Sequence, residues 1–373
     1  MSLRDFLSPE ERRKFLETEK KIDLSSLKSD LEKNSSVHCE NLIGAVSVPL
    51  GIAGPLTVNK TKIYIPLATT EGALVASVSR GAKAISQSGG AKVKTFYHGQ
   101  TRGPVFLTHE IEKGLLMKSW IESNNPAIKK AASDTSKHIV YLGAKVKTIG
   151  QYTFVRFSFD TKNAMGMNMV TIATEAIARL IETKTKIPCI AVAGNFDIDK
   201  KPSWLNVIEG RGYEVWAEAV ISKKILNEVL HAHASDIYKT WVAKCMVGSF
   251  ASGSLGFNAH FANITAGIFI ATGQDPAHVS ESSMGITTCE ERKDDLFVSI
   301  NIPSLQIGTV GGGTVLPSQK NSFEIMGITP KTSPSFFAEC IGGAVLAGEL
   351  SLLASLTTRT LGSAHEELGR KKK

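Results

Sequence analysis

Apolar positions along this chain fall into two periods. One of about 3.6 residues predicts helices, and shorter alternating or continuous apolar runs predict strands. Ser8-Pro9-Glu10-Glu11 predicts a helix start: a capping serine, a proline at the first helical position and acidic residues in the first turn. A second short helix is predicted over 24–31. Residues 40–55, ENLIGAVSVPLGIAGP, turn apolar with turn punctuation, and 63–67 reads as a strand. A helix over 69–88 follows, capped by Thr69 or Thr70, with Leu74, Val75, Val78 and Ala82 as its apolar stripe. The pattern breaks over 99–106 at Arg102-Gly103-Pro104. Beyond it, strands are expected at 138–142, 152–159 and 190–193, with a long helix over 164–184. Helices are predicted over 221–234, Phe261–Thr272 and 336–358, the last largely buried, and strands over 298–302 and 306–310. The strand character left at Gly103 resumes near residue 190, so the stretch between reads as a small α/β insertion.

Composition adds bounds. A chain of 373 residues suggests two or three domains and can bury a large core. Its 42% hydrophobic and 21% charged content is that of a globular protein. The net charge of +8 lacks interleaved aromatics, at 7% of residues, so a nucleic-acid partner is not expected. An anionic small molecule carrying phosphates accounts for the surplus. Cys39, Cys189, Cys245, Cys289 and Cys340 are scattered without metal-ligand spacing, so no metal site is expected. The start of the chain has no apolar signal region, and the apolar run at 341–356 contains Glu349 and falls short of a membrane span. A cytoplasmic protein without a membrane partner is expected.

Several phrases could carry chemistry. AGNFDIDKKPSWLNVIEGRG, residues 193–212, sets Asp199, Lys200 and Lys201 side by side before Pro202. A lysine beside a carboxylate in low dielectric is a ready electrophile for a carbonyl oxygen, although a solvated turn has the same composition. NAMGMN, residues 163–168, stands at a strand-to-helix junction where Gly166 lets backbone approach a ligand, and Met165 and Met167 read equally as core. GTVGGGT, residues 308–314, is a second glycine-rich loop that serves as a tight turn or a backbone contact. Glu71 at a helix start, Asp275 after a helix end, His260 and His365 each also have an ordinary structural reading.

TTEGALVAS, NAMGMN, DIDKKP with VIEGRG, GQD, IGTVGGGT and LAGELSL, in this order, resemble the hydroxymethylglutaryl-coenzyme A reductases. The resemblance runs from Glu40 to Arg370, and Met167 matches the class I pattern in a free-standing prokaryotic form. It implies a two-lobed α/β fold. A large domain (44–103 and 192–360) surrounds a long buried helix, a small NADP-binding domain (104–191) is inserted in it, an N-terminal arm (1–43) precedes it and a C-terminal flap (361–373) follows. It implies reduction of (S)-3-hydroxy-3-methylglutaryl-CoA to mevalonate by two hydrides through mevaldehyde. The cofactor implied is NADPH, with NADH tolerated. The assembly implied is a homodimer or higher, with the active site between subunits.

By the same resemblance, Lys200 is the cation opposite the carbonyl oxygen. Glu71 is the acid of the second reduction, Asp275 links and tunes both, and His365 protonates the departing thiolate. Arg102, Lys201 and Lys244 meet the substrate's acid end, with Asp199 orienting them, and Asn263 positions the catalytic lysine. Ser77, Ser79, Arg80 and His260 meet coenzyme A. Ser136, Lys137, the turn of Asn163, Met165, Gly166, Met167 and Asn168, and Gly311, Gly312 and Gly313 meet the cofactor. The chain departs from the family at Asn163 (usually Asp), Ala193 (often Ser), His231 (often Lys) and Lys137 (usually Arg). Two other readings are open: another acyl-coenzyme A enzyme, a thioesterase or lyase in which Lys200 only binds carboxylate, and a basic scaffold.

Overall fold

The structure is a computed structural model that describes residues 3–33 and 39–359. Helix α1 (Pro9–Lys20) opens with a reciprocal cap: Ser8 Oγ accepts the Glu11 N–H, and the Glu11 carboxylate accepts the Ser8 N–H, both at 3.2 Å. The helix predicted over 24–31 is instead two 3-10 turns, Ser25–Leu27 and Asp30–Lys33. Strands β1 (Leu50–Val58) and β2 (Thr61–Ala68) form a hairpin. Its turn residues Asn59 and Lys60 both take positive φ, as a two-residue hairpin turn with the right twist requires. Helix α2 (Leu74–Gln87) starts five residues later than its periodicity predicts, which leaves Glu71 in the preceding turn.

Strand β3 (Lys92–Arg102) passes through the expected break at Gly99 and joins two lobes. Its first part, from Lys92, pairs with β8 (Gly212–Ile221); its last three residues pair with β6 (Tyr152–Asp160). On one side of β3 the sheet continues through β8 to β10 (Asp295–Leu305) and β9 (Ile286–Arg292). On the other it runs through β6 to β4 (Val105–Leu107) and β7 (Cys189–Ala191), with β5 (Val140–Ile149) also on β6.

Each lobe has its own core. The smaller packs α3 (Ile111–Ser123), α4 (Asn125–Ser133) and α5 (Met167–Thr185) with its strands around Phe106, Phe157, Phe159, Met117 and Ile177. In the larger, α6 (Trp204–Glu209) precedes β8. After β8, α7 (Lys223–Ile225) continues as a π-helix (Leu226–Leu230), where one helix over 221–234 was expected. Helix α8 (Ala234–Trp241) continues as a second π-helix (Val242–Gly248) into α9 (Ser249–Ala251). Helices α10 (Phe261–Thr272), α11 (Val279–Ser282), α12 (Pro317–Ile325) and α13 (Pro334–Thr357) complete the lobe. Helix α13 is its axis. It is the one described helix long and apolar enough to cross a membrane, and 78% of that apolar window is buried inside the protein. Helix α2 crosses it in backbone contact, because a Cβ on Gly81 would lie 1.9 Å from the Ala347 carbonyl oxygen.

The segment at 306–310 is not a strand. Its amides are taken from other directions: Gln306 N–H by Ser282 Oγ, Gly308 N–H by Gln274 Oε1 and Thr309 N–H by the Asn163 carbonyl. Those partners hold the glycine-rich loop beside the start of α5 instead of in the sheet.

Candidate active site

The chain leaves the large lobe at Gly103 and returns at Gly194, and the two meet: the Gly194 N–H donates to the Gly103 carbonyl at 2.6 Å. The charged loop after Gly194 therefore lies on the seam between the lobes. It is tightly turned. Asn195, Ile198 and Lys200 all take positive φ, costly for Ile198 above all, and such strain persists where surrounding contacts impose it. The Asn206 side chain holds the Ile198 carbonyl at 3.2 Å, and the Lys200 N–H donates to Glu281 Oε1 at 3.2 Å.

Around this loop the side chains form one paired network. Lys200 Nζ lies 2.7 Å from Asp275 Oδ2. Arg102, at the end of β3, bonds Thr171 Oγ1, Asp197 at 3.0 Å and Asp199 at 3.4 Å. Arg211 is completely buried; it reaches Asp199 at 2.9 Å, both oxygens of Glu281 at 2.8 Å and Thr101 Oγ1 at 2.9 Å. His278 Nδ1 lies 2.5 Å from Glu281 Oε1. Buried charges are tolerated when paired in this way. Burial pushes the Asp199 carboxyl up, but Arg211, His278 and Arg102 outweigh it and hold it below the usual carboxylate range. Burial likewise raises Asp275, and the Lys200 hydrogen bond with the Ala277 N–H brings it below that range.

The structure unites Lys200 with Asp275 and Arg102 with Asp199. Lys201 is exposed, with Nζ on its neighbour's backbone, Asp199 O, at 3.2 Å. Asn263 donates to Glu71 Oε2 at 3.0 Å and, among the described hydrogen bonds, does not touch Lys200. Lys244, on the second π-helix, lines a cleft of about 820 Å³ with Pro202, His260, Asn263 and Ser280. π-turns of this kind recur at functional sites. Ser77 and Arg80 are tied to α13 through Ser351, and Arg80 also to Ser355, while Ser79 is half-buried on the same helix. His231 caps the first π-helix at an exposed position, its ring on the Asn227 carbonyl at 3.0 Å. Ala193 is exposed in the loop. His365 lies outside the described residues.

On the smaller lobe, Gly166 stands at φ 84° before the first turn of α5, which carries no side-chain cap. An isolated bridge from Ala164 to Val310 locks this turn to the glycine-rich loop. A Cβ on Gly308 would lie 2.3 Å from the Met165 nitrogen, while Gly311 and Gly312, at φ 81° and 56°, face open space. Gly313 packs on Gly273. Asn163 donates to the Pro330 carbonyl at 3.2 Å. Asn168 is exposed and Met165 packs on the small core. Met167 is buried with its sulfur 3.0 Å from Arg211 Nη2, so it links the Asn163–Asn168 turn to the charge network. Ser136 caps the His138 N–H at 3.1 Å, and Lys137 is exposed beside it.

The sequence reading assigned nothing to Asp197, Arg211, His278 and Glu281. The last two follow Asp275 at intervals of three, a single helical face that carried a signal.

The family profile described as hydroxymethylglutaryl-coenzyme A reductase matches residues 8–370. The 3-hydroxy-3-methylglutaryl-coenzyme A reductase of Aeropyrum pernix is 46% identical over 96% of this chain and 89% of its own length. That of Haloferax volcanii is 45% identical over 89% of this chain and 84% of its own length. A class II 3-hydroxy-3-methylglutaryl-CoA reductase from Streptococcus pneumoniae, solved bound to NADPH in open conformations, shares the fold. Its TM-score is 0.72, with 19% identity over 95% of this chain and 100% of that one. With nearly its whole length matched, this chain belongs to the hydroxymethylglutaryl-coenzyme A reductase family.

Proposed function

We propose that this chain reduces (S)-3-hydroxy-3-methylglutaryl-CoA to mevalonate with NADPH and releases coenzyme A, and that the seam between its lobes is where it does so. The observation that carries the reading is the Lys200–Asp275 pair at 2.7 Å on a strained loop above a buried charge network. The Lys200 ammonium, fixed by Asp275, stabilises the negative charge that develops on the carbonyl oxygen at each stage. Glu71, held by Asn263, gives its proton to the alkoxide of the second stage. His365 protonates the thiolate, which prevents its return to mevaldehyde. Lys201 and Lys244 have no acidic side-chain partner among the described residues and take the free carboxylate of the substrate. Arg102, shared between Asp197 and Asp199, orients Asp199 and lines that end. Arg80, with Ser77, Ser79 and His260, meets the coenzyme A moiety along α13.

The cofactor turn suits a dinucleotide. The uncapped amides of α5 accept an anion, and Gly311 and Gly312 offer backbone without a side chain in the way. Bound NADPH supplies the hydride. Lys137, with Ser136 beside it, meets the 2′-phosphate. The segments 44–103 with 192–360, and 104–191, act as substrate and cofactor domains, in keeping with their separate cores. The assembly in this reading is a cytoplasmic homodimer with the active site between subunits; Val247 and Phe250, which flank the cleft-lining Gly248 and Ser249 in sequence, stand 60% and 81% exposed and support a subunit contact there. The test is the loss of nicotinamide absorbance with hydroxymethylglutaryl-CoA and each cofactor in turn. Oxidation of two NADPH per coenzyme A released is expected, and thioester cleavage without oxidation overturns the reading in favour of a thioesterase.

A further inference from the structure

Within the buried network, His278 has no part in the mechanism above. His278 is completely buried at the end of a 3-10 turn, Pro276–His278, whose first cap is Asp275. Its Nδ1 lies 2.5 Å from Glu281 Oε1. Glu281 also accepts both Arg211 hydrogen bonds, the Asn206 side chain and the Lys200 N–H. Glu281 is the acceptor in each of these bonds, so the Nδ1 of His278 beside it is the donor and carries a proton. The other ring nitrogen, Nε2, is buried with no hydrogen-bond partner among the described residues, and it faces Asp275 Oδ2 at 3.8 Å. A buried imidazole nitrogen without a partner is costly. Here it points at the carboxylate that holds Lys200.

We propose that His278 is a positioning residue of the reduction: Glu281 fixes its ring, and its Nε2 proton holds Asp275 in register with Lys200. The inference rests on the role given to Lys200 above. Charge balance supports it. The directly bonded groups are the cations Arg102, Lys200 and Arg211 against the carboxylates Asp197, Asp199, Asp275 and Glu281. Among these directly bonded groups three positive charges meet four negative ones, and an imidazolium supplies the fourth cation in direct contact. Asp199 Oδ1 also faces the ring, 3.9 Å from Nδ1. Arg156, the next cation, bonds no carboxylate directly: its Nη2 donates to Asn206 and the Gly210 carbonyl, its Nη1 has no partner among the described residues, and its charge reaches Asp197 and Glu281 only through space. Asp199, His278 and Glu281 are grouped closely enough to hold a metal ion, but Arg211 already bonds both carboxylates and supplies the cation there.

The consequence is a shared grip on Asp275. With Nε2 protonated, Asp275 is shared between two cations, and the Lys200 ammonium acts on the carbonyl oxygen with less of its charge neutralised. With Nε2 bare, two acceptors face each other and Asp275 belongs to Lys200 alone. Mevaldehyde reduction by the full chain tests this, since it bypasses the thiolate step assigned to His365. His278→Gln fills the same space but presents no cation to Asp275. Its kcat should drop by about tenfold, the worth of one charged hydrogen bond, with KM for mevaldehyde nearly unchanged. A variant with wild-type kcat, or one that loses thermal stability alone, overturns the proposal. ¹⁵N-histidine spectra of the wild-type protein decide it without the His278 variant. One ring with Nδ1 and Nε2 both protonated, perturbed by Asp275→Asn, supports it; no ring that responds to Asp275→Asn overturns it. If the wild type oxidises no NADPH with either substrate, the functional reading fails, and the spectra still decide whether His278 and Asp275 are coupled.

Discussion

The seam between the lobes and the turn proposed to hold the cofactor are neighbours, yet they are built on opposite principles. At the seam, Arg211 and Glu281 are wholly buried, and each has partners on separate chain segments. At the turn, Gly311, Gly312 and Lys137 are exposed, and what is offered is backbone and one free lysine. Chemistry that needs a fixed charge is therefore tied to the stability of the fold at the seam, whereas recognition of an anion at the turn is not. A substitution at the seam should cost stability and activity together unless the residue stands at its exposed edge. A substitution at the turn should change only binding.

The strongest test is Arg211→Leu. It strands Asp199 and Glu281 without their guanidinium, and breaking a buried pair in this way costs about 3–5 kcal/mol. Urea denaturation should show that loss. Arg211→Lys should not restore it, because one ammonium cannot reach Asp199, Glu281 and Thr101 together. Wild-type stability in Arg211→Leu would remove the distinction between the two regions.

Lys200 stands at the seam's edge, its side chain 42% exposed. Lys200→Ala should keep the fold and lower kcat by about a hundredfold or more, the usual cost of losing one oxyanion donor. Circular dichroism and steady-state kinetics on the same preparation separate the two effects. A folded variant with normal turnover would leave Lys200 as a carboxylate binder only.

Acid should expose the same asymmetry. Asp199 and Asp275 are held below the usual carboxylate range in the folded protein. A depressed folded value contributes stability that is fully present above the unfolded value, about pH 4, and lost as pH falls through the folded value. Thermal midpoints should hold between pH 7 and 5 and fall below about 4. Asp275→Asn should fall less steeply, and Lys137→Ala should follow the wild type throughout. Equal acid profiles for Asp275→Asn and wild type would mean that the Lys200 pair adds nothing to the fold.

These contrasts also explain how far the sequence could be read. Local signals gave the start of α1, and α10 and α13 almost to the residue, because a cap, a proline or an unbroken apolar face marks each. Strand β8 was legible in the alternation of Tyr213, Val215, Ala217, Ala219 and Ile221, but the helical pattern after it masked the signal. The segment at 306–310 has strand composition and no strand partner, since two side chains and one backbone carbonyl from three other segments take its amides. Motif resemblance brought Lys200 and Asp275 into one site, where the structure pairs them. It did not find Arg211 or Glu281. Their roles arise from burial and from partners 70 residues apart in sequence, which no local spacing reveals.

The smallest expected effect lies at the turn. Lys137 is exposed, and no acidic side chain pairs with it among the described residues, so the fold gains little from its charge. If it meets the 2′-phosphate, Lys137→Ala should raise KM for NADPH several-fold, in line with an attraction of about 1 kcal/mol in water. KM for NADH, which lacks that phosphate, should barely move, and kcat with either cofactor should stay near wild type. Added salt should narrow the difference, because exposed charges are screened within about 8 Å at physiological ionic strength. Lys137→Arg should sharpen NADPH preference, since a guanidinium grips a phosphate with two parallel hydrogen bonds where an ammonium acts as a point charge. Equal changes in KM for both cofactors would place Lys137 outside the phosphate subsite and shift discrimination to the backbone amides at the start of α5.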